Sequence, residues 1–403
     1  MDQASPASAA SRVGGKRLLI VFDVSFPFIK GGAQRRFYEV ARVLVRRGWS
    51  VDWLTFKAWD GPDECLHEGI RYLGVRPAPD LYDDEGKRSQ SEPLIFAWEV
   101  ARRLPRLRGY DRVWVGQWPL LHVIPVLLFG FLIRKPVVLD WWEVWGYRLW
   151  TRYRKLSGFM GFMVEWLTLA VFARPHVVVT DTRLEEVRLR GMVGRRTRVE
   201  CVSNGIPREE IGPVDPSAPR TADIVALGRL KEHKRVDLLL EALAILKERH
   251  GMEPSTEVIG DGPERERLEA QARGAGLSRV RFHGFIEDLH EVYRRAKGGR
   301  LCVITTQSGG AGNLTLLEAY GCGLPVVAFR IEEGIDPDLV SDGHSGLLVD
   351  PPTAEALAET LHALLTDPAR LDVMRAHALE RAAGLSWESV GLEYEALFES
   401  LPR

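Results

Sequence analysis

Apolar positions along this chain gather into short β-branched runs, each followed by a stretch in which they recur at helical spacing. RLLIVFD (residues 17–23) reads as a first buried strand ending in Asp23. Phe37, Val40, Ala41, Leu44 and Val45 then share one helical face, Gly48 stops that helix, and SVDWLTF (50–56) reads as the second strand. Pro77–Glu92 is polar, acidic and aperiodic, which predicts a loop. Beyond it come a helix at 94–107, strand RVWVG (112–116), a helix at 120–133 and strand PVVLD (136–140). An apolar helix over 158–173 and the strands HVVVT (176–180) and RVECVSN (198–204) complete a first series.

A second series opens at ADIVALGRL (222–230) and alternates in the same way. Its helices are predicted at 235–249, 263–273 and 287–296, and its strands at STEVIG, RVRFHG, LCVITT and LPVVAF. Two short helices follow over 353–383. Two consecutive α/β series predict two doubly wound, Rossmann-like domains facing one another across a cleft. The expected boundaries are a disordered leader at 1–15, a first domain at 16–205, a Pro- and Gly-rich linker at 206–220 and a second domain at 221–385. The amphipathic tail 386–403 reads as a helix placed to cross back to the first domain.

Within the second series, Leu301–Phe329 concentrates the candidate chemistry. A buried strand runs into the small residues Ser308 to Asn313, and a helix then starts at Leu314. Small residues let backbone approach a ligand closely, and the unpaired N–H groups of a helix start favour an anion. Glu318 sits one turn inside, in reach of hydroxyls on the same ligand. In the first series, Lys30, Gly31, Gly32 and Ala33 occupy the matching place between strand end and helix start, where open α/β sheets bind ligands.

Charge splits the chain in two. The net charge of −1 hides 32 Lys and Arg against 22 Asp and Glu in residues 1–205, and 22 against 33 in residues 206–403. Eleven of the twelve tryptophans lie between Trp49 and Trp166, so the basic half is also the aromatic half, which suits an anionic polymer or a membrane surface as well as a solvated basic face. Arg148, Trp150, Arg152, Arg154 and Lys155, beside the apolar helix, are the residues through which an anionic bilayer would be met. Leu120–Ile133 is too short to span a bilayer and Glu165 interrupts Gly158–Ala173. Cys65, Cys201, Cys302 and Cys322 show no paired spacing, which fits a reducing compartment.

Taken together, the motifs resemble the GT-B glycosyltransferases, and within them the retaining family 4 of the "glycosyl transferases group 1" type. The resemblance rests on KGGA (30–33), VSNGIP (202–207), GRLKEHK (228–234), VIGDGPE (258–264), VRFHGF (280–285), NLTLLEAYGCGLPVVA (313–328), DGHSGLLV (342–349) and LSWE (385–388), in that order. It implies transfer of a sugar from a nucleoside-diphosphate donor, UDP- or GDP-linked, to a glycan acceptor with retention at the anomeric carbon. A lipid-linked glycan or surface polysaccharide fits the basic, tryptophan-rich half. Arg229 and Lys234 match the basic pair that grips the diphosphate and stabilises it as it leaves, one as a fork and one as a point charge. Asn313, Leu314 and Thr315 match the backbone donors to the same phosphates, Glu318 the ribose ligand, and Gly31 and Gly32 the loop that approaches from across the cleft. The resemblance implies no cofactor beyond this co-substrate, and no metal or nucleic-acid partner is signalled. The expected location is cytoplasmic, with peripheral attachment to the inner membrane face as its variant.

Two positions depart from the family pattern. Many members carry a glutamate eight residues before the counterpart of Glu318, where this chain has Gly310. Many carry His-Asp after the strand matching PVVLD, where this chain has Trp142 and Glu143. An altered sugar-binding mode follows, with Glu143 taking a polar catalytic role and Trp142 stacking on a sugar face or blocking it. Two other readings stay open on the same fold: a non-catalytic nucleotide- or glycan-binding scaffold, and a sugar-nucleotide epimerase.

Overall fold

The computed structural model describes residues 15–29, 31–79, 91–153, 155–215, 217–307, 313–331 and 334–402. The predicted leader, apart from Gly15, and most of the 77–92 loop lie outside these residues. The first domain runs β1 (Arg17–Val21), α1 (Gly32–Arg46), β2 (Ser50–Lys57), β3 (Glu64–His67), β4 (Ile70–Pro77), α2 (Glu92–Ala101) and β5 (Arg112–Gly116). It continues with α3 (Val123–Leu132), β6 (Val137–Asp140), α4 (Gly146–Tyr153), α5 (Lys155–Leu167), β7 (Val177–Thr180), α6 (Arg183–Met192) and β8 (Arg198–Cys201). After α7 (Arg208–Ile211), the second domain begins with β9 (Ile224–Leu227), α8 (Val236–His250), β10 (Thr256–Ile259), α9 (Arg265–Gly274), β11 (Val280–Gly284) and α10 (Leu289–Lys297). It ends with β12 (Leu301–Ile304), α11 (Asn313–Gly321), β13 (Val326–Phe329), α12 (Pro337–Val340), β14 (Gly346–Val349), α13 (Ala354–Leu365), α14 (Pro368–Ala383) and α15 (Trp387–Ser400).

Among the described residues the first sheet has the order β3-β4-β2-β1-β5-β6-β7-β8 and the second β11-β10-β9-β12-β13-β14. All neighbours are parallel except the β3–β4 hairpin. Strands buried on both faces explain the continuous apolar runs of the sequence: β6, β7, β12 and β13 have no exposed residue. Each sheet has a core on either face, four clusters in all. Among the described residues no helix is long and apolar enough to cross a membrane.

Three local features differ from or add to the sequence reading. The helix expected at 94–107 stops at Ala101, and a 3-10 segment over Leu104–Gly109 follows in which Pro105 supplies no N–H for a continuing α-helix. The hairpin β3–β4 had no sequence forecast, because its two-residue turn places Glu68 (φ 46°) before Gly69 (φ 80°), not the usual Asn or Asp. The 206–220 segment is not a free strap either. Ile206 and Ile211 are buried in the second domain's core, and α7 packs on α10 and α11.

The chain crosses between domains twice, at Gly205 and ahead of α15, and the crossings touch. A Cβ on Gly205 would stand 2.6 Å from the Trp387 backbone nitrogen. From there α15 lies along α1. Val43 leaves no room for a side chain at Gly391, Trp49 Nε1 donates to Glu395 (3.0 Å) and Arg46 pairs with Glu388 (2.5 Å).

At the centre of this junction the guanidinium of Arg36 is buried and all five of its N–H groups have acceptors. Nε donates to Asp140 Oδ2 (3.0 Å), Nη1 to the Ser203 carbonyl (3.0 Å) and Asn204 Oδ1 (2.9 Å), and Nη2 to the Val202 carbonyl and the Tyr394 hydroxyl (both 2.7 Å). Tyr394 in turn donates to Asp140 Oδ1 (2.6 Å), and Asn204 Nδ2 to Asp181 (2.9 Å). Removing the cation strands a buried carboxylate and two carbonyls. Arg36→Met is therefore expected to lower unfolding free energy by about 3–5 kcal/mol, read by urea denaturation; a loss within error of zero contradicts this role.

Candidate active site

Strand order reverses between β1 and β5 in the first sheet and between β9 and β12 in the second. Doubly wound sheets bind ligands beyond the strand ends at such points. In the second domain these are the loops after β9 and β12, and they are tied together. Thr305 Oγ1 donates to the Lys234 carbonyl (2.7 Å), and Gln307 N to the His233 carbonyl (3.0 Å). A small cavity opens between them, lined by Gly228, Arg229, Lys234, Thr305 and Thr306 among others. The loop is packed to backbone contact. A Cβ at Gly260 (φ 144°) would fall 2.0 Å from the Gly228 carbonyl oxygen, so the first glycine of VIGDGPE is required by close approach.

This cavity gathers positive charge. Arg229 is exposed and has no ion-pair partner among the described residues. Burial and the neighbouring Arg229 push the Lys231 ammonium down. Burial, with Lys234, Lys231 and Arg229 around it, pushes His233 down to about 4, so it is neutral at physiological pH. Lys234 is pushed down to about 8 by burial, opposed by Glu143 and reinforced by Lys231. Basic side chains that depress one another's protonation form a site for a concentrated anion.

The first domain faces this cluster with a loop whose backbone is held at five consecutive N–H groups. Gln117 Oε1 accepts from Trp142 N (3.1 Å) and Glu143 N (3.2 Å), and Glu185 from Val144 N (2.8 Å). Glu165 accepts from Trp145 N (3.0 Å), Gly146 N (2.8 Å) and Trp150 Nε1 (3.0 Å). Burial pushes the Glu165 carboxyl up to about 7 against those donors. Glu143 accepts from Trp145 Nε1 (2.8 Å); burial raises its pKa, while Trp145 and Lys234 oppose the rise. Its charge therefore acts on Lys234 across the cleft. Trp142 stands edge-on to Phe22 (5.7 Å) and Phe37 (5.9 Å), half inside the first domain's core, and among the described residues its buried Nε1 has no hydrogen-bond partner.

The other predicted residues meet around α11. Gly31 has extended backbone (φ −175°), and a Cβ there would meet only the flexible end of Gln34. Gly32 is different, because a Cβ would lie 2.8 Å from Leu314 Cδ1, so the two domains touch at this glycine. Leu314 packs on the first domain's core, and Thr315 Oγ1 lies 3.8 Å from where a Gly228 Cβ would be. Asn313 opens α11. Gly310, like the rest of the 308–312 loop, lies outside the described residues. Glu318 accepts from Tyr293 OH (2.9 Å), and burial raises its pKa while Arg35 and Tyr293 oppose the rise. Arg35, from α1, lies 3.9 Å from Glu318 and donates to Glu210 (2.7 Å). Sequence reasoning missed Arg35, Gln117, Lys231 and Tyr293. Arg35, three residues past the double glycine, was the one with a positional signal.

Comparisons with known proteins agree with this fold. The model of the glycosyl transferase 4-like domain matches residues 31–205, and that of glycosyl transferases group 1 matches 207–381. The chain belongs to this family of GT-B glycosyltransferases. A D-inositol 3-phosphate glycosyltransferase of Corynebacterium urealyticum is 33% identical over 246 residues, which is 56% of this chain and only about half (56%) of that relative's own length. The GDP-mannose-dependent alpha-(1-6)-phosphatidylinositol monomannoside mannosyltransferase of Mycolicibacterium smegmatis is 27% identical across 89% of this chain and 91% of its own. Sucrose-phosphate synthase from Thermosynechococcus elongatus shares the fold, with a TM-score of 0.75 at 20% identity over 95% of this chain and 98% of that one.

The position of Lys234 generates a pH prediction. Its charged form, the one suited to an anion, is lost as pH rises through about 8. Affinity for a nucleoside diphosphate is expected to hold below that pH and fall above it, and Lys234→Arg to flatten the profile. Calorimetry across pH 6.5–9.5 checks it; an unchanged slope in the variant contradicts it.

Proposed function

We propose that this chain transfers a glycosyl unit from a nucleoside-diphosphate sugar to an acceptor hydroxyl with retention of configuration. The observation that carries the reading is the basic cluster Arg229, Lys231 and Lys234 at the β9–β12 switch point, one helix start away from Glu318. Arg229 and Lys234 take the diphosphate, the N–H groups of Asn313, Leu314 and Thr315 complete its cradle, and Glu318 takes the ribose hydroxyls. The acceptor oxygen bonds the anomeric carbon on the face from which the diphosphate departs. The bond from that carbon to the phosphate oxygen breaks, and the phosphate receives the acceptor's proton. The basic cluster stabilises the charge that develops there. Glu143 is the counter-ion of Lys234 until the diphosphate replaces it, and Trp142 fills the place of the family's histidine and shapes the sugar pocket. A GDP-linked donor draws support from the mannosyltransferase relative, and a UDP-linked donor remains the other arm of the test.

Calorimetry with UDP, GDP and dTDP tests the donor. One of them is expected to bind, and Arg229→Ala and Glu318→Ala each to weaken it by about tenfold or more. Unchanged affinity in both variants would sink the assignment, and slow hydrolysis of the matching nucleotide sugar separates an enzyme from a scaffold. Release of an epimerised nucleotide sugar with no acceptor consumed would select the epimerase.

A lipid-linked acceptor presented at an anionic membrane completes the reading, through a surface that keeps the expected Arg148, Arg152 and apolar helix but not Trp150. Trp150 turns inward, clusters with Trp145 (4.8 Å) and Trp118 (5.9 Å) and bonds Glu165. Arg154 and the Lys155 side chain lie outside the described residues. The outward groups are instead Phe131 and Leu132 at the end of α3 and Phe159, Met160, Met163 and Trp166 on α5. Phe131 and Leu132 are 61% and 73% exposed. Arg102, Arg106, Arg134, Arg148, Arg152 and Arg174, from the same stretch of chain, are exposed as well. Of the described carboxylates between Glu92 and Arg174, only Asp111 is exposed. Binding to phosphatidylglycerol vesicles is expected to weaken with salt and to be lost in Phe131→Asp/Leu132→Asp. Absence of binding at low salt removes the membrane from the proposal.

A further inference from the structure

A second cluster, unrelated to the cleft, lies where α8 meets α13. We propose that His250, Glu359 and His362 bind one divalent cation of the zinc type and staple the end of α8 to α13. Among the described residues, this is the group of three such side chains whose ligand atoms lie within 4.8 Å of one another. His250 Nε2 lies 3.2 Å from Glu359 Oε1, and the two imidazoles stack with centroids 3.9 Å apart and planes 17° apart.

The donor set suits that ion. Two imidazoles and one carboxylate supply three of the four positions zinc takes, at about 2.0–2.2 Å each, and leave the fourth to water. Imidazole-rich sets favour zinc, nickel and copper over magnesium and calcium, which prefer all-oxygen cages. Tetrahedral bonds of that length put donors roughly 3.4 Å apart, so the widest spacing in the cluster must contract by about an ångström or a little more. Its side chains are free to do so. Glu359 is 56% exposed, and among the described residues the His362 ring makes no hydrogen bond. The lone pairs of stacked rings lie in nearly parallel planes that do not meet at one ion, so loading turns one ring about its Cβ–Cγ bond.

Helix placement favours a cation as well. His250 is the last residue of α8, capped by Gly251 in the left-handed region (φ 61°), and His362 lies in the last turn of α13. The carbonyl ends of two helices therefore converge on the cluster, and each carries partial negative charge. Glu359 and His362 stand three apart on one face of α13 and meet His250 from its neighbour, so the ion links elements otherwise joined by apolar packing. The site is remote from the cleft: α8 starts two residues after Lys234, and its 15 residues carry His250 about 20 Å away.

The test is a titration of the tag-free full chain with zinc against a chromophoric chelator, without nucleotide. One zinc per chain is expected. Affinity should fall at least about tenfold in His250→Ala and in His362→Ala, as for loss of one ligand among three. Zinc should raise the melting temperature of the native chain and of neither variant, while nucleoside diphosphate affinity stays unchanged in all. No zinc taken up in competition with the chelator, or equal uptake by the native chain and both variants, overturns the proposal.

Discussion

One buried cation, Arg36, ties together the segments that join the two domains. Arg36 sits on the helix that follows the double glycine, yet its bonds run to the end of β6, to the first interdomain crossing and to α15 from the far end of the chain. A guanidinium has five donors in a fixed plane, and here each finds an acceptor, so the geometry of four segments is set by one group. The loop carrying Trp142 and Glu143 begins one residue after Asp140. Arg36 thus positions the first domain's contribution to the site without facing the ligand, and it does so while pinning both crossings on which the second domain is hung.

Around that junction the two domains meet through few, specific contacts. Gly32 lies against Leu314, Arg35 reaches Glu318 and Glu210, and Asp336 Oδ2 accepts the backbone N–H of Leu184 (3.0 Å) from the other domain. Contacts of this kind suit domains that open to admit a nucleotide sugar and close to exclude water. Three cations and a neutral histidine are held together with Glu143 opposite, a concentration of positive charge that suits the proposed diphosphate. Trp142 and Gly310 stand where many family members carry a histidine and a glutamate, while the residues proposed for the diphosphate and ribose match the family pattern.

Much of this was legible in the linear pattern. Buried parallel strands announce themselves as β-branched runs, and glycines at strand ends announce loops that approach a ligand; the two α/β series and the loops beside Gly32 and Glu318 follow from those signals, whereas Lys234 is singled out by the family resemblance. Illegible were charges whose partners are distant in sequence. Arg35 and Arg36 look like the polar face of a surface helix until strands and tail from 104 to 358 residues away are folded against them. Glu165 looked like an interruption in an apolar helix, yet it caps a loop 19 residues upstream. That inversion also misdirected the aromatic reading: Trp145 and Trp150 turn inward to this carboxylate, while the Phe and Met residues of a helix apolar nearly all round turn outward. Periodicity alone could not assign its two faces.

A crystal structure of the chain with the nucleoside diphosphate it binds tests the central claim most directly. The diphosphate should lie within hydrogen-bond distance of Arg229 and Lys234 at the start of α11, with a ribose hydroxyl on Glu318. A nucleotide seated elsewhere, or one in the cleft with its phosphates turned away from Lys234, would contradict the assignment of the basic cluster as the donor site.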